Sequence, residues 1–579
     1  MEAADEERPL LHLLPHLQDG SSEYASDGSV DINKQPALKR NTGNWRACYM
    51  ILGVEFCECV AFFAIAKNLV TYLTTVLHES KVTAARNVSA WVGASFLTPL
   101  IGAFLADTYL GRYWTIVVSL PVCTVGMLVL TVSASVPTSY YRAGVHHIVV
   151  YLGLYLAAFG SGGIKPCAPA FGADQFDIGD PMELAKKGSF FNWYYFLINL
   201  CSLLSSTVLV WLQDNVGWGV SFAIPTVLMV LGLAVFVSGS RVYRFRKLGK
   251  SPFISLCQVM VAAARQWRVE LPEKKDDNSL LYELTRSSPE AESSHKIQHT
   301  NQFRFLDKAA IVLPPSDKTC TVLPTCSWKL CTVTQVEELK ILLRMFPIWA
   351  SFVIFYAVSG QLTSTFIEQG MVMDKRVGPF AIPPASLSIF GVFSVLIWVP
   401  IYETVLVPLA RRYTSNEKGF SQTQRLGIGF AMSMLTMVYS ALLEMKRLAI
   451  AQASSLEDQN VPVPMSILWQ APSYVLHGAS EVFAGIGMTE FFYDQAPYSM
   501  KSLCAALAQL AIASGSYFNT LVFGVVAVAT TRGGAPGWIP DNLNEGHLDY
   551  FFWMMAALSI LNLAQFMHYS LRYREKTTS

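Results

Sequence analysis

Charge is what this sequence has least of. Asp, Glu, Lys and Arg make up 15% of its 579 residues, against about 25% in soluble globular proteins. The shortfall is concentrated, because apolar runs of spanning length recur along most of the chain, and that excludes a water-soluble fold. A net charge of +1 offers neither a basic surface for nucleic acid nor an acidic one for a basic partner. No Ser/His/Asp set or histidine cluster stands out, and His146-His147 falls at a loop edge, so no enzyme is expected. Most of the eleven cysteines, Cys48, Cys123, Cys201 and Cys504 among them, lie in apolar segments, where Cys behaves as a small hydrophobe. Cys320, Cys326 and Cys331 lack the paired spacing of a zinc site, so no metal and no cofactor is expected. No cleavable leader is expected either: the first forty residues are polar and acidic, so the first spanning helix is expected to act as the insertion signal.

What is present is hydrophobic: 52% of the residues are apolar and the mean hydropathy is +0.36. Residues 1–45 read as a disordered tail. Apolar stretches follow near 47–75, 88–108, 113–135, 147–169, 190–213 and 218–239, and again near 340–365, 382–409, 424–445, 465–488, 501–528 and 550–571. The pattern predicts an all-α membrane protein of about twelve spans. Two bundles, 46–239 and 336–571, are expected, joined by a long polar linker at 240–335 and followed by a short tail, 572–579. That is the layout of a two-bundle transporter, with its solute site near the midplane. Lys39, Arg40, Arg46, Arg112, Lys186, Lys187, Arg411, Arg412, Lys418 and Arg425 would fall on one side, outnumbering the cations on the other. The bias puts both termini and the linker in the cytoplasm. Within the linker, Ile254 to Trp267 carries apolar residues at helical spacing and is expected to lie along the membrane surface.

An ionisable side chain at the bilayer centre costs about 2.5–3.5 kcal/mol, so each one inside a span needs a reason. Glu55 and Glu58 in the first span are three residues apart and share one helix face. Two carboxylates that close in low dielectric cannot both ionise cheaply, so the pair suits a proton carrier. Otherwise they would hydrogen-bond neighbouring helices. Lys165 follows Gly160-Ser-Gly-Gly and precedes Pro166 in the fourth span; the glycines let another helix approach closely. Its expected partner is Glu481 in the tenth span, as a breakable gate or a permanent ion pair. Asp107, Gly111 and Arg112 form a D-x-x-x-G-R turn suited to a tight connection that locks the inner face.

These residues carry a resemblance. Thr98-Pro-Leu-Ile-Gly-Ala-Phe-Leu-Ala-Asp107, Gly160-Ser-Gly-Gly-Ile-Lys-Pro166, Phe171-Gly-Ala-Asp-Gln-Phe176, Phe190-Phe-Asn-Trp-Tyr194, Cys331-Thr-Val-Thr-Gln-Val-Glu-Glu-Leu-Lys340 and Asp549-Tyr-Phe-Phe-Trp553 span nearly the whole chain. The sequence resembles the plant nitrate/peptide transporter family, within the proton-coupled oligopeptide transporters of the major facilitator superfamily. It is most similar to the dipeptide/tripeptide branch. The resemblance implies a major facilitator fold and a proton-coupled symporter of small nitrogenous solutes, with peptides first. Protons, a small solute and the lipid bilayer are the implied partners, and a functional monomer is expected. Glu55 and Glu58 would couple protons, while Lys165, Asn199, Gln361 and Glu481 would line the solute site.

The match is incomplete where the chemistry is densest. The family's first-span signature, E-x-x-E followed by a base, ends here in Cys59, and the tyrosines that usually continue that face are Phe62 and Phe63. In the eighth span Phe390-Gly391 replaces a phenylalanine followed by an acid or amide. Losing a cation beside Glu55 and Glu58 leaves their ionised forms less supported. A peptide carboxylate would lose a charge-assisted hydrogen bond of roughly 1.5–3 kcal/mol. The open alternatives are a hormone or metabolite, nitrate, or a transport-inactive sensor. A histidine in the seventh span would suit nitrate, and none occurs between Lys340 and Gly370. Glu6, Leu10 and Leu11 fit an acidic dileucine signal for a sorting adaptor, which leaves vacuolar and plasma membrane both in view.

Overall fold

The computed structural model describes residues 24–25, 28–136, 144–177, 180–246, 252–268, 299–311, 328, 330–414, 420–456, 459, 461–495, 501–532 and 537–573. The expected sorting signal at Glu6, Leu10 and Leu11 lies outside them, as do Cys320 and Cys326. The described residues are mostly helical, and the chain divides into two compact units, residues 1–72 with 97–249, and 73–96 with 250–579.

The first unit is built on α1 (Asn44–Ala66), the later part of α2 (Lys81–Leu105), α3 (Arg112–Ser135), α4 (Val145–Ala173), α5 (Pro181–Leu204) and α6 (Trp218–Ser238). α4 packs along α3, and α1 packs against α4, α5 and α6. The glycine run of α4 makes these approaches as close as the sequence suggests. A Cβ on Gly162 would lie 2.6 Å from Thr98 Oγ1, so no larger side chain fits there without moving a helix. α1 stops earlier than its apolar run, at Ala66. Lys67 and Asn68 interrupt it, and the Asn68 amide donates to Gln213 Oε1 at 3.1 Å.

The tail also differs from expectation. Residues 28–43 are ordered against the first unit: Val30 exchanges backbone hydrogen bonds with Phe245, and Lys39 pairs with Asp177 at 3.1 Å. Arg244, 0% exposed, fixes this region by bonding Glu183 at 2.8 Å, the Gln175 carbonyl at 3.2 Å and Thr42 at 3.4 Å. These polar residues look like tail in sequence because the charges that order them lie far along the chain.

The second unit holds α7 (Pro252–Arg265), α8 (Val333–Ser359), α9 (Thr365–Met371), α10 (Ser388–Ile401), α11 (Gln422–Ala453), α12 (Ala471–Ser480), α13 (Ile486–Gln495), α14 (Lys501–Thr530) and α15 (Leu548–Ser570). Two small sheets decorate it: Met373–Asp374 runs parallel to Val463–Ser466, and Arg376–Val377 pairs antiparallel with Phe380–Ala381. Its apolar interior includes Phe352, Phe355, Phe430 and Phe566. Thr332 caps α8 with a reciprocal Gln335 contact, and Ser421 and Gln424 do the same for α11. α7 does not present its whole apolar stripe to lipid. Val259, Ala262 and Ala263 pack on Leu306, Ala309, Ala310, Cys331, Val336 and Leu339, so protein covers that face, while Met260 and Trp267 stay exposed.

Among the described residues, eleven helices are long and apolar enough to cross a membrane. The tenth expected span is the one missing from that set. It is a broken run of α12, a π-helical turn Glu481–Gly485, and α13, whose His477, Glu481 and Glu490 reduce its apolarity. Similar π turns interrupt three other helices, at Ala106–Leu110, Ser205–Leu209 and Tyr402–Leu406. Such turns break the regular ladder and concentrate at functional positions.

Candidate functional site

The polar centre of the first unit forms where α1, α4 and α5 meet. The three-residue spacing puts Glu55 and Glu58 on the packed side of α1, at 2% and 1% exposure. Tyr194 from α5 donates to Glu55 Oε1 at 2.7 Å, and the Cys59 thiol donates to the same oxygen at 3.5 Å. Ser161, from the glycine run of α4, donates to Glu58 Oε1. One oxygen of each acid, Glu55 Oε2 and Glu58 Oε2, is buried with no hydrogen-bond partner among the described residues. Two buried carboxyl groups with a free oxygen each are a place where protons can be held.

Lys165 completes the centre. Its Nζ lies 3.8 Å from Glu58 Oε1 and 3.4 Å from the centre of the Phe62 ring. Within its own unit, Lys165 therefore has Glu58 as its ion-pair partner. α4 packs directly on α1, so the first-span acid is the near one. Phe62 and Phe63 meet edge to face at 5.4 Å, and the Phe63 ring also faces Lys67 Nζ at 5.4 Å. Asn199 sits half-buried on α5. The geometry thus gathers Glu55, Glu58, Cys59, Phe62 and Lys165, and it adds Tyr194 and Ser161, which the motifs contained but no spacing argument singled out.

The second unit treats its two expected residues differently. Gln361 is 0% exposed and fully engaged: its amide donates to Asn519 Oδ1 at 2.8 Å and to the Ala357 carbonyl at 3.1 Å, while its oxygen accepts from Thr365 at 2.8 Å. Asn519 passes the chain on to Ser89 at 2.9 Å. A glutamine so occupied ties its own helix to α14 through Asn519. Glu481 opens the π turn with 38% of its side chain exposed. His477, one turn earlier, lies 4.0 Å from it and meets Ser359 Oγ at 3.2 Å.

The D-x-x-x-G-R segment makes a sharp turn at Gly111. Gly111 has a φ of 77°, the left-handed region that glycine adopts without strain. This reversal lets Arg112 reach Asp174 and the Ala170 carbonyl at the end of α4. Arg246 adds a second cation to Asp174 at 3.4 Å. Asp174 belongs to the Phe171-to-Phe176 motif, so two segments that looked separate in sequence form one charged knot. Asn87, inside α2, donates to Glu79 at 3.0 Å.

A buried acid pair with a lysine beside it, set among helices long enough to span a bilayer, fits a polytopic transporter of the major facilitator type. The comparisons narrow the class. The POT family profile matches residues 113–539. The chain is 50% identical to Protein NRT1/PTR FAMILY 8.3 of Arabidopsis thaliana, with 99% of each chain covered. It is 48% identical to Protein NRT1/PTR FAMILY 8.1 of the same plant, covering 96% of this chain and 98% of that one. Among solved structures, an auto-inhibited POT family peptide transporter matches with a TM-score of 0.69 at 22% identity, over 92% of this chain and 98% of that one. The POT family transporter PepTSo matches with a TM-score of 0.69 at 21% identity, over 91% and 98%. These structures share the fold. The chain belongs to the POT family of proton-coupled transporters, and it is an integral, multi-pass membrane protein.

Proposed function

We propose that the chain is a symporter that moves di- and tripeptides, or nitrogenous solutes of that size, with protons by alternating access. The observation that carries this reading is the Glu58–Lys165 contact at 3.8 Å beside a second buried acid, Glu55. While Glu58 is charged, Lys165 is held by it. When Glu58 takes a proton the attraction falls away, and the ammonium is free to meet a solute carboxylate. Protonation and solute binding then share one cation, which couples them. The peptide transporters among the structural neighbours support a peptide carboxylate as the group received. Glu481, partly exposed on its π turn, supplies the acid of the second unit. A less charged solute is the second reading, because Cys59, Phe62 and Phe63 surround the acids with apolar surface. The monomer is the working unit, and the membrane is vacuolar or plasma membrane with both termini in the cytoplasm.

The test is uptake of a labelled dipeptide into oocytes or proteoliposomes with and without an inward proton gradient, in wild type, Glu58→Gln and Cys59→Arg. Gradient-driven uptake by wild type that Glu58→Gln abolishes supports the proposal. Uptake confined to Cys59→Arg would show that the natural chain carries a different solute.

A further inference from the structure

Outside the site described above lies a fully buried carboxyl group that, among the described residues, has no hydrogen-bond partner on either oxygen. Glu368 sits in α9, in the second unit, near the end of the helical run that begins at Val333. Every residue from Thr365 to Gly370 is buried, and Glu368 itself is 0% exposed. Among the described residues, neither Glu368 Oε1 nor Oε2 has a hydrogen-bond partner.

Its neighbour in sequence shows what a structural acid looks like here. Gln369 donates to Glu444 Oε2 at 2.6 Å and accepts from Gln470 at 2.6 Å. Glu444 in turn takes two bonds from Arg447, at 2.6 and 2.9 Å, and Arg447 spends its other donors on Asn544 at 2.6 Å and the Leu543 carbonyl at 2.9 Å. Each charge in that network is matched inside it. Glu368 stands apart. Among the described residues, the charges near enough to act on it include Lys81, in the first turn of α2, which would attract it, and Asp541, before α15, which would repel it. Lys81 is drawn in turn by Asp541 and Glu444 and repelled by Arg447; its backbone N–H already donates to Asp541 Oδ1 at 3.2 Å.

A bare carboxylate in such a place costs several kcal/mol, whereas the neutral acid costs far less. The group therefore has two workable states. In one it is protonated and Lys81 turns to Asp541. In the other its proton has gone to water, and the Lys81 ammonium, on a flexible four-carbon stem with three donors, has moved in as counter-ion. We propose that Glu368 is a second proton-binding site, separate from the Glu55–Glu58 pair, which exchanges its proton for an ion pair with Lys81. A divalent cation is a poorer occupant, because among the described residues no group of metal-ligating side chains includes Glu368. The site would add a proton step on the second half of the transporter, whatever solute is carried.

The test uses no solute, so it stands or falls independently of the peptide proposal. Infrared difference spectra of the purified full chain in lipid nanodiscs are recorded across stepped pH for wild type, Glu368→Gln and Lys81→Met. Wild type is expected to show the C=O band of a protonated carboxyl that bleaches as pH rises. Glu368→Gln should lose one carboxyl from that signal, and Lys81→Met, with Glu368 intact, should keep the band through the steps that bleach wild type. A Glu368→Gln spectrum identical to wild type, or a Lys81→Met band that bleaches in step with wild type, overturns the proposal. If Glu368→Gln fails to fold, the Lys81→Met comparison decides alone.

Discussion

Replacing Lys340 with methionine should release residues 299–310 of the linker from α8. Lys340 is 0% exposed, and its Nζ lies 2.6 Å from Asp307, 2.8 Å from Glu337 and 2.9 Å from the Thr300 carbonyl. Thr300 closes the ring by donating to Glu337 from its backbone N–H at 2.9 Å and its hydroxyl at 2.7 Å. One ammonium therefore ties two buried acids and the linker together. Methionine preserves most of the stem and removes the charge, leaving Asp307 and Glu337 facing each other. Removing one member of a buried ion pair costs about 3–5 kcal/mol. Two groups remain to soften the loss: Arg344, 3.4 Å from Glu337 and 28% exposed, and His299, 3.1 Å from Asp307. The lower end, about 3 kcal/mol, is the expected cost.

Since about 1.4 kcal/mol is tenfold in an equilibrium, the segment should open roughly 100 times more often. Amide hydrogen exchange read by mass spectrometry should show protection of 299–310 falling by about two decades. The helices of the first unit should keep theirs. Adding Asp307→Asn to Lys340→Met should recover part of the protection, because one unmatched charge is gone. Protection in Lys340→Met within threefold of wild type would refute the reasoning.

Three further outcomes follow from the geometry. Gly162→Val would place its branched side chain against Thr98, and overpacking on this scale costs roughly 1–3 kcal/mol or more; a fall in thermal midpoint and in monodisperse yield is expected, while Gly53→Ala, with open space around it, should leave both unchanged. Arg447→Met strands Glu444, also 0% exposed, and should cost about 3–5 kcal/mol, seen as a lower thermal midpoint that Glu444→Gln in the same chain partly restores. Tyr194→Phe removes the 2.7 Å donor to Glu55, a bond of about 1.5–3 kcal/mol; uptake should drop at least tenfold at unchanged surface level, and Tyr194→Phe should add nothing further to Glu55→Gln.

The sequence made the membrane class plain because apolar length is a local property, and it made Glu55 and Glu58 plain because three-residue spacing fixes a shared face. What it could not rank was which distant groups meet. Lys165 had several acids to choose from, and only the packing of α4 on α1 made Glu58 the near one. Nor did spacing reveal that Arg244 meets Glu183, or that Arg112 and Arg246 converge on Asp174. Gln361 shows the same limit: an amide inside a span reads as solute-binding, and its bonds to Asn519 and Thr365, far and near in sequence, were not legible. The apolar stripe of α7 carried the same ambiguity, since lipid and protein ask for the same residues at the same spacing. The run through Glu481 read as an apolar span, and its break into α12, a π turn and α13 was not legible in its composition.

The departures Cys59 and Phe62 gain a meaning from where Lys165 lies. On the proposed mechanism, a base at position 59 would give two cations to two acids, and the centre could stay charged without protons. Here one lysine serves Glu55 and Glu58 together. Cys59 offers Glu55 only a weak thiol donor at 3.5 Å. At least one acid must then hold a proton whenever the centre is closed to water. Phe62 replaces part of the missing attraction without fixing it: a ring face 3.4 Å from an ammonium holds it by about 0.5–2 kcal/mol, less than a buried carboxylate does. When Glu58 is protonated, Lys165 therefore keeps a resting place and loses its strong partner, which is the condition under which a solute carboxylate can compete for it. The loss of the family's base makes the proton more necessary to the cycle.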